Sequence, residues 1–195
     1  MDCCNRPSGY EGFFSEKQAQ RDARAYRRNG LGAPARWIVD VVRRRGIEGC
    51  TVLEPGGGVG SIQLELLKAG AARSTVVELS PGYEEVAAQL AKEAGVDDRI
   101  ERHVADFAED AVGEVDVVVL HRVVCCYPDY ERLLGAAADK ARSTLVFTYP
   151  PRNFVSRALF AILNLSQRLR SQDFRAFAHS PDAMAAVVRG HGFEP

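Results

Sequence analysis

The stretch "VLEPGGGVGS", Val52 to Ser61, puts four glycines into five positions between an apolar run and the helix-forming run "IQLELLKAG". Glycines at a strand-to-helix turn permit positive φ and leave the backbone bare, so that a ligand can approach it closely. Such a loop constrains the whole chain, because it needs a strand behind it, a helix ahead of it and a sheet to hold both. The glutamate in front of it selects among ligands. Glu54 is a poor neighbour for a pyrophosphate seated on the helix N-terminus, but it suits a ligand that carries ammonium and sulfonium charge. The spacing Gly56, Gly58, Gly60 also departs from G-x-G-x-x-G, which needs Gly or Ala where Ser61 stands.

The flanking pattern supplies the sheet. "CTVLEP", "STVVELS", "RIERHVADF", "VDVVVLHRV" and "STLVFTY" read as strands, and helix-length segments such as "PGYEEVAAQLAKEAG" and "PDYERLLGAAADKA" separate most of them. Strands joined in this way pair in parallel, and near-continuous apolar runs such as "VDVVVL" fit strands buried on both faces. The expected fold class is α/β: a Rossmann-like, doubly wound, mostly parallel sheet with ligands at the carboxyl ends of its strands. Two helices, from Ser15 to Gly30 and from Ala33 to Gly46, precede the sheet, and two more follow Tyr149. We read residues 1–46 as an N-terminal helical cap and 47–195 as the ligand-binding domain, with a helical segment at 152–191.

From Cys50 to Pro150 the chain resembles the class I S-adenosylmethionine-dependent methyltransferases, whose first motif is acidic-x-G-x-G-x-G. The resemblance implies S-adenosyl-L-methionine as cofactor, held by Glu54, Gly56, Gly57, Gly58 and Gly60. Glu78, with Leu79 after it, ends the second strand 24 residues beyond Glu54, where the family binds the ribose hydroxyls. Asp106 ends the third strand, where the family meets the adenine amino group, and Phe107 would border the ring. His121 follows the fourth strand at the pocket mouth. It and Tyr127 are the catalytic candidates: a neutral imidazole there is placed to take a proton from a hydroxyl acceptor, or else to contact the cofactor backbone. The segments "VVCCYPDYERLL" and "FTYPPRNFVSRALFAILN" are similar to the magnesium-protoporphyrin methyltransferases, which have "HYP" after strand four where this chain has Cys126-Tyr127-Pro128. No substrate is carried over from them.

The family usually adds two strands after a helix ending in "GF", whereas this sequence runs from Phe193 to Glu194 and Pro195, so the sheet is expected to lack those two strands. Tyr10, Phe13, Phe14 and Tyr26, and Phe154, Phe160, Phe174 and Phe177 after strand five, are candidates to cover the pocket. The stripe Val155, Leu159, Ile162, Leu165 and Leu169 is expected to pack in the core or between two copies in a homodimer. If it instead forms a lid, Arg152, Arg157 and Arg175 point to an anionic substrate.

A net charge of −1 favours neither nucleic acid nor a membrane as a partner, and the N-terminus has no signal-peptide pattern, so a cytoplasmic enzyme acting on a small molecule is expected. Five cysteines, Cys3, Cys4, Cys50, Cys125 and Cys126, lack the spacing of a disulfide framework or zinc ribbon. No metal site is expected, because adjacent cysteines on a strand point to opposite faces. Three alternatives remain open: a thiol- or metalloid-directed S-methyltransferase, a non-catalytic cofactor-binding module and, more remotely, a nicotinamide-dependent dehydrogenase.

Overall fold

A computed structural model describes residues 10–109, 111–151 and 153–194. After a short helix, α1 (Tyr10–Phe13), come α2 (Glu16–Asn29) and α3 (Ala33–Arg45). The sheet then alternates as expected: β1 (Thr51–Pro55), α4 (Ser61–Lys68), β2 (Arg73–Glu78), α5 (Glu84–Ala94), β3 (Ile100–Val104), β4 (Val115–Leu120), α6 (Tyr130–Lys140) and β5 (Ala141–Phe147). Two helices follow, α7 (Phe154–Leu169) and α8 (Pro181–Gly190). The five strands run in the order β3-β2-β1-β4-β5, and all neighbouring pairs are parallel. The order reverses at β1, which puts the glycine loop after β1 at the switch point of the sheet, where open α/β folds bind ligands.

Alternation along the central strands feeds two cores. Val52, Val117 and Val119 face a cluster with Ile38 and Val42 of α3, Ile62 and Leu66 of α4, and Leu90 of α5. Leu53, Val118 and Leu120 face the opposite cluster, with Leu133 and Leu134 of α6 and Met184 and Val188 of α8. Ala19 and Ala23 of α2 also join the first cluster, so the N-terminal helices share the core of the sheet.

Several segments add to or depart from the sequence expectations. The fourth strand stops at Leu120 instead of running through Val123, because Arg122 takes a left-handed backbone (φ 62°) and its N–H turns to the side chain of Thr148. Val124–Cys126 then form a 3₁₀ turn. The apolar stripe of α7 stays out of the core of this chain: Val155, Leu159, Ile162, Leu165 and Leu169 are 57–78% exposed and Phe154 is 85% exposed. The helix is instead fastened by its polar side, where the Asn164 amide exchanges two hydrogen bonds with the backbone of Ala176. Finally, the two candidate covering segments meet each other. Phe174, 2% exposed, sits among Tyr10, Phe13 and Phe14 with ring centroids 5.0–6.0 Å away. The Phe14 carbonyl in turn accepts from the Ser80 hydroxyl just beyond β2, which ties this aromatic cluster to the mouth of the sheet.

The fully buried Leu134 tests the second core. Leu134→Ala should cost about 3 kcal/mol in a urea unfolding titration, since it removes packing against both β4 and α8.

Candidate functional site

The glycine loop is left-handed at alternate residues, with φ of 63°, 54° and 78° at Gly56, Gly58 and Gly60. The Gly56 N–H donates to the Val77 carbonyl at 2.7 Å and the Gly60 N–H to the Gly57 carbonyl at 2.8 Å, which closes the turn onto β2. Close packing reinforces the need for glycine. A Cβ on Gly56 would lie 2.6 Å from Val123, and one on Gly60 would lie 2.1 Å from the Gln63 amide, which is itself held by the Ser74 hydroxyl. Gly57 has Val76 and the Glu54 side chain at 3.0–3.1 Å from where its Cβ would stand.

Glu54 therefore lies beneath the loop. It is 3% exposed, and its carboxylate takes a hydrogen bond from the backbone of Gln63 in the first turn of α4, while Oε2 is buried with no partner among the described residues. Burial pushes its carboxyl up to about 8, against the opposing pull of the Gln63 amide and the Arg102 charge. Glu78, equally buried at the end of β2, accepts from the Gly58 N–H (3.0 Å) and the Ser80 N–H (2.9 Å). Its carboxyl is also raised by burial, and the loop amides and Arg102 counter that shift.

Arg102 on β3 escaped the sequence reading. Its guanidinium donates to the Gly58 carbonyl at 3.0 Å and pairs with Glu84 of α5 at 2.8 Å, and its other terminal nitrogen is buried without a partner. One arginine thus ties the loop to the helix after β2 and places a positive charge near two buried carboxyls. The available signal was a cation in a five-residue strand beside the motif, paired in register with Val76.

Beyond β3, Asp106 accepts from the Tyr127 hydroxyl through both oxygens, at 3.0 and 3.1 Å, and from the Ala108 N–H. Tyr127 is thereby committed to Asp106, and burial together with that carboxylate raises its phenol above the ordinary value. Phe107 turns away into the second core, 5% exposed, with the Lys140 ammonium 6.0 Å from its ring, so it packs rather than borders a pocket. Leu79 is half-buried, and its backbone N–H supports the Glu78 carboxylate.

His121 follows β4, and its Nδ1 lies 3.0 Å from Thr148 Oγ1. The same hydroxyl accepts from the Arg122 N–H at 3.0 Å, which ties the residue after β4 and the imidazole to one side chain beyond β5. Burial and the Arg122 charge lower the imidazole to about 4, so it is neutral at physiological pH.

Cys125 and Cys126 correct the strand-based expectation. They sit on the 3₁₀ turn with their sulfurs 3.7 Å apart on one side, both near the Arg122 carbonyl. The shared thiol contact draws Cys125 down to about 7 and raises Cys126. Among the described residues no group of three or more Cys, His, Asp or Glu is placed to hold a metal. Cys3, Cys4 and Arg152 lie outside the described residues. The guanidinium of Arg175 donates to the Gln172 and Phe174 carbonyls, and so braces the covering segment rather than facing a substrate. A surface cleft between α2 and α5, lined by Glu16, Gln20, Arg27 and Gln89, lies on the helical layer and includes none of the residues placed at the strand ends.

A parallel sheet with its glycine loop at the switch point and carboxyl groups at or just beyond the ends of β1, β2 and β3 has the architecture of the class I methyltransferases. Residues 53–143 match the model of the methyltransferase domain family. The magnesium-protoporphyrin O-methyltransferase of Rhodobacter capsulatus is 32% identical over 109 residues, which span 54% of this chain and 47% of that protein. The chain therefore matches less than half the length of this relative. Among solved structures, the magnesium protoporphyrin IX methyltransferase of Synechocystis PCC 6803 with bound SAH superposes with a TM-score of 0.73 at 21% identity, over 94% of this chain and 87% of that one. A mitomycin 7-O-methyltransferase superposes at 0.61 with 25% identity, over 91% of this chain and 54% of that one.

The raised Glu54 carboxyl has a measurable consequence. Between about pH 4.5 and pH 8 the unfolded chain releases this proton while the folded one keeps it, so the free protein loses stability as pH rises through that window. Glu54→Gln should remove on the order of 4 kcal/mol of that loss, seen as a flatter dependence of urea unfolding on pH than in the wild type.

Proposed function

We propose that the chain is an S-adenosyl-L-methionine-dependent methyltransferase that acts in the cytoplasm on an oxygen of a small molecule. The observation that carries this reading is the buried, unpartnered Oε2 of Glu54 under a glycine loop. A buried carboxyl oxygen without a partner is costly, and a cationic ligand group relieves that cost where a pyrophosphate would add to it. The match to the methyltransferase domain and the SAH in the Synechocystis enzyme support the same ligand.

Each residue then has a role. Glu54 answers the ammonium of the methionine part, and the loop backbone from Gly56 to Gly60 borders it. Glu78 keeps lone pairs for two ribose hydroxyls while it accepts from Gly58 and Ser80. Asp106, oriented by Tyr127, faces the adenine amino group. The cofactor supplies a methyl group on a sulfonium, a good leaving group, so the protein has to align donor and acceptor and exclude water. The aromatic cluster around Phe174 is placed to do the excluding.

The two catalytic candidates are both poor bases. His121 is held to about 4, and the Tyr127 hydroxyl is engaged by Asp106. An acceptor that is already ionised, such as a carboxylate, needs no base, and the O-methyltransferase names of the relatives support oxygen as the acceptor atom. His121 then serves to position substrate or cofactor through a hydrogen bond.

Two outcomes follow. Glu78→Ala should weaken S-adenosylhomocysteine at least about thirtyfold in calorimetric titration, through loss of two hydrogen bonds to a charged acceptor. His121→Gln should lower kcat by less than about tenfold in assays with a carboxylic acid acceptor, whereas loss of a general base would cost about 10²–10⁴.

A further inference from the structure

We infer that the outward face of α7 is a docking surface for an anionic lipid bilayer. The inference stands apart from the methyltransferase reading, because it rests on a helix that contributes no residue to the proposed cofactor site.

Six apolar side chains from Phe154 to Leu169, each 57–85% exposed, form one stripe along the helix. Soluble monomers rarely leave such a continuous patch uncovered. The stripe is not the reverse of a loosely held element: the Asn153 side chain caps the helix by accepting from the Ser156 N–H at 2.9 Å, and Asn164 fixes its inner side to Ala176. A helix already formed in the free protein has little ordering entropy left to lose on docking.

Charge identifies the occupant. α7 contains no Asp or Glu, and its two charged residues, Arg157 and Arg168, are exposed and fall on one edge of the stripe by helical spacing. Arg170, also exposed, follows directly. The ion pairs among the described residues all lie elsewhere. From Pro150 to His179 the sequence holds five arginines against one acidic residue, in a chain whose net charge is −1. A second copy of the same helix would bring arginine edges together with no carboxylate on either helix to answer them. Anionic headgroups answer them, while the acyl boundary takes up the apolar stripe, the arrangement of an interfacial amphipathic helix. No described helix is long and apolar enough to cross a membrane, so the geometry is one of lying on the surface. The expectation of no membrane partner rested on the total charge, which averages this local excess away.

Sedimentation of the full chain with vesicles containing phosphatidylglycerol, beside vesicles of phosphatidylcholine alone, tests the inference. The wild type should bind the anionic vesicles selectively and lose that binding at high salt. Leu159→Gln with Ile162→Gln should weaken binding at least about tenfold, and Arg157→Gln with Arg168→Gln about fivefold per arginine removed. S-adenosylhomocysteine affinity should be unchanged in all of these variants, which separates failure of this surface from failure of the cofactor site. Absence of wild-type binding in lipid excess would overturn the inference. So would a wild-type dimer in analytical ultracentrifugation that Leu159→Gln with Ile162→Gln converts to monomer, since the face would then be covered by a second copy.

Discussion

A carboxyl buried under a loop of bare backbone organises the rest of the site. Glu54 stands at the end of the central strand, where no water reaches Oε2, and is answered on one side by the first turn of α4 and at longer range by Arg102. The loop can pass over it only because Gly57 carries no Cβ and because its neighbours accept left-handed backbone. Arg102 and Glu78 then fix the loop from the β2 and β3 side, one gripping the Gly58 carbonyl and the other the Gly58 N–H. Both backbone groups of a single glycine are thus held by ionisable side chains, which is how a segment with so few side chains keeps one shape.

The fold and the skeleton of this site were legible in the sequence because they follow from periodicity and strand-end placement. The alternation of strand and helix, the glycine loop and the carboxylates at Glu54, Glu78 and Asp106 all reappear, at strand ends within one or two residues of where they were expected. The contacts between elements were not legible. Nothing local to "IERHV" announces that Arg102 reaches the loop, and nothing in "CCYPDY" announces that Tyr127 reaches Asp106, because both depend on how strands are ordered across the sheet. Phe107 and the adjacent cysteines were misplaced for a related reason. Each was read as lying on a strand, but each lies within a turn, which aims its side chain differently.

The stripe on α7 shows where pattern reading reverses. Apolar spacing identifies the helix and its amphipathic face, but it does not reveal which face meets the protein. Here the contact of Asn164 with the backbone of Ala176 holds the polar side inward, and the apolar side turns out. Meanwhile Phe174, in a segment with no regular structure, becomes one of the most buried aromatics and joins the covering segment to the N-terminus. The buried aromatic and the exposed stripe thus fall to adjacent parts of one segment after β5.

The proton balance of cofactor binding tests the role of Glu54. A Glu54 carboxyl that is neutral in the free protein at pH 7 and pairs with a cationic ligand must release its proton on binding. Titration of S-adenosylmethionine at pH 7 in buffers of different ionisation enthalpy should therefore show about one proton released per ligand bound, and Glu54→Gln should abolish that release. Binding without proton release, or release that persists in Glu54→Gln, would contradict the account.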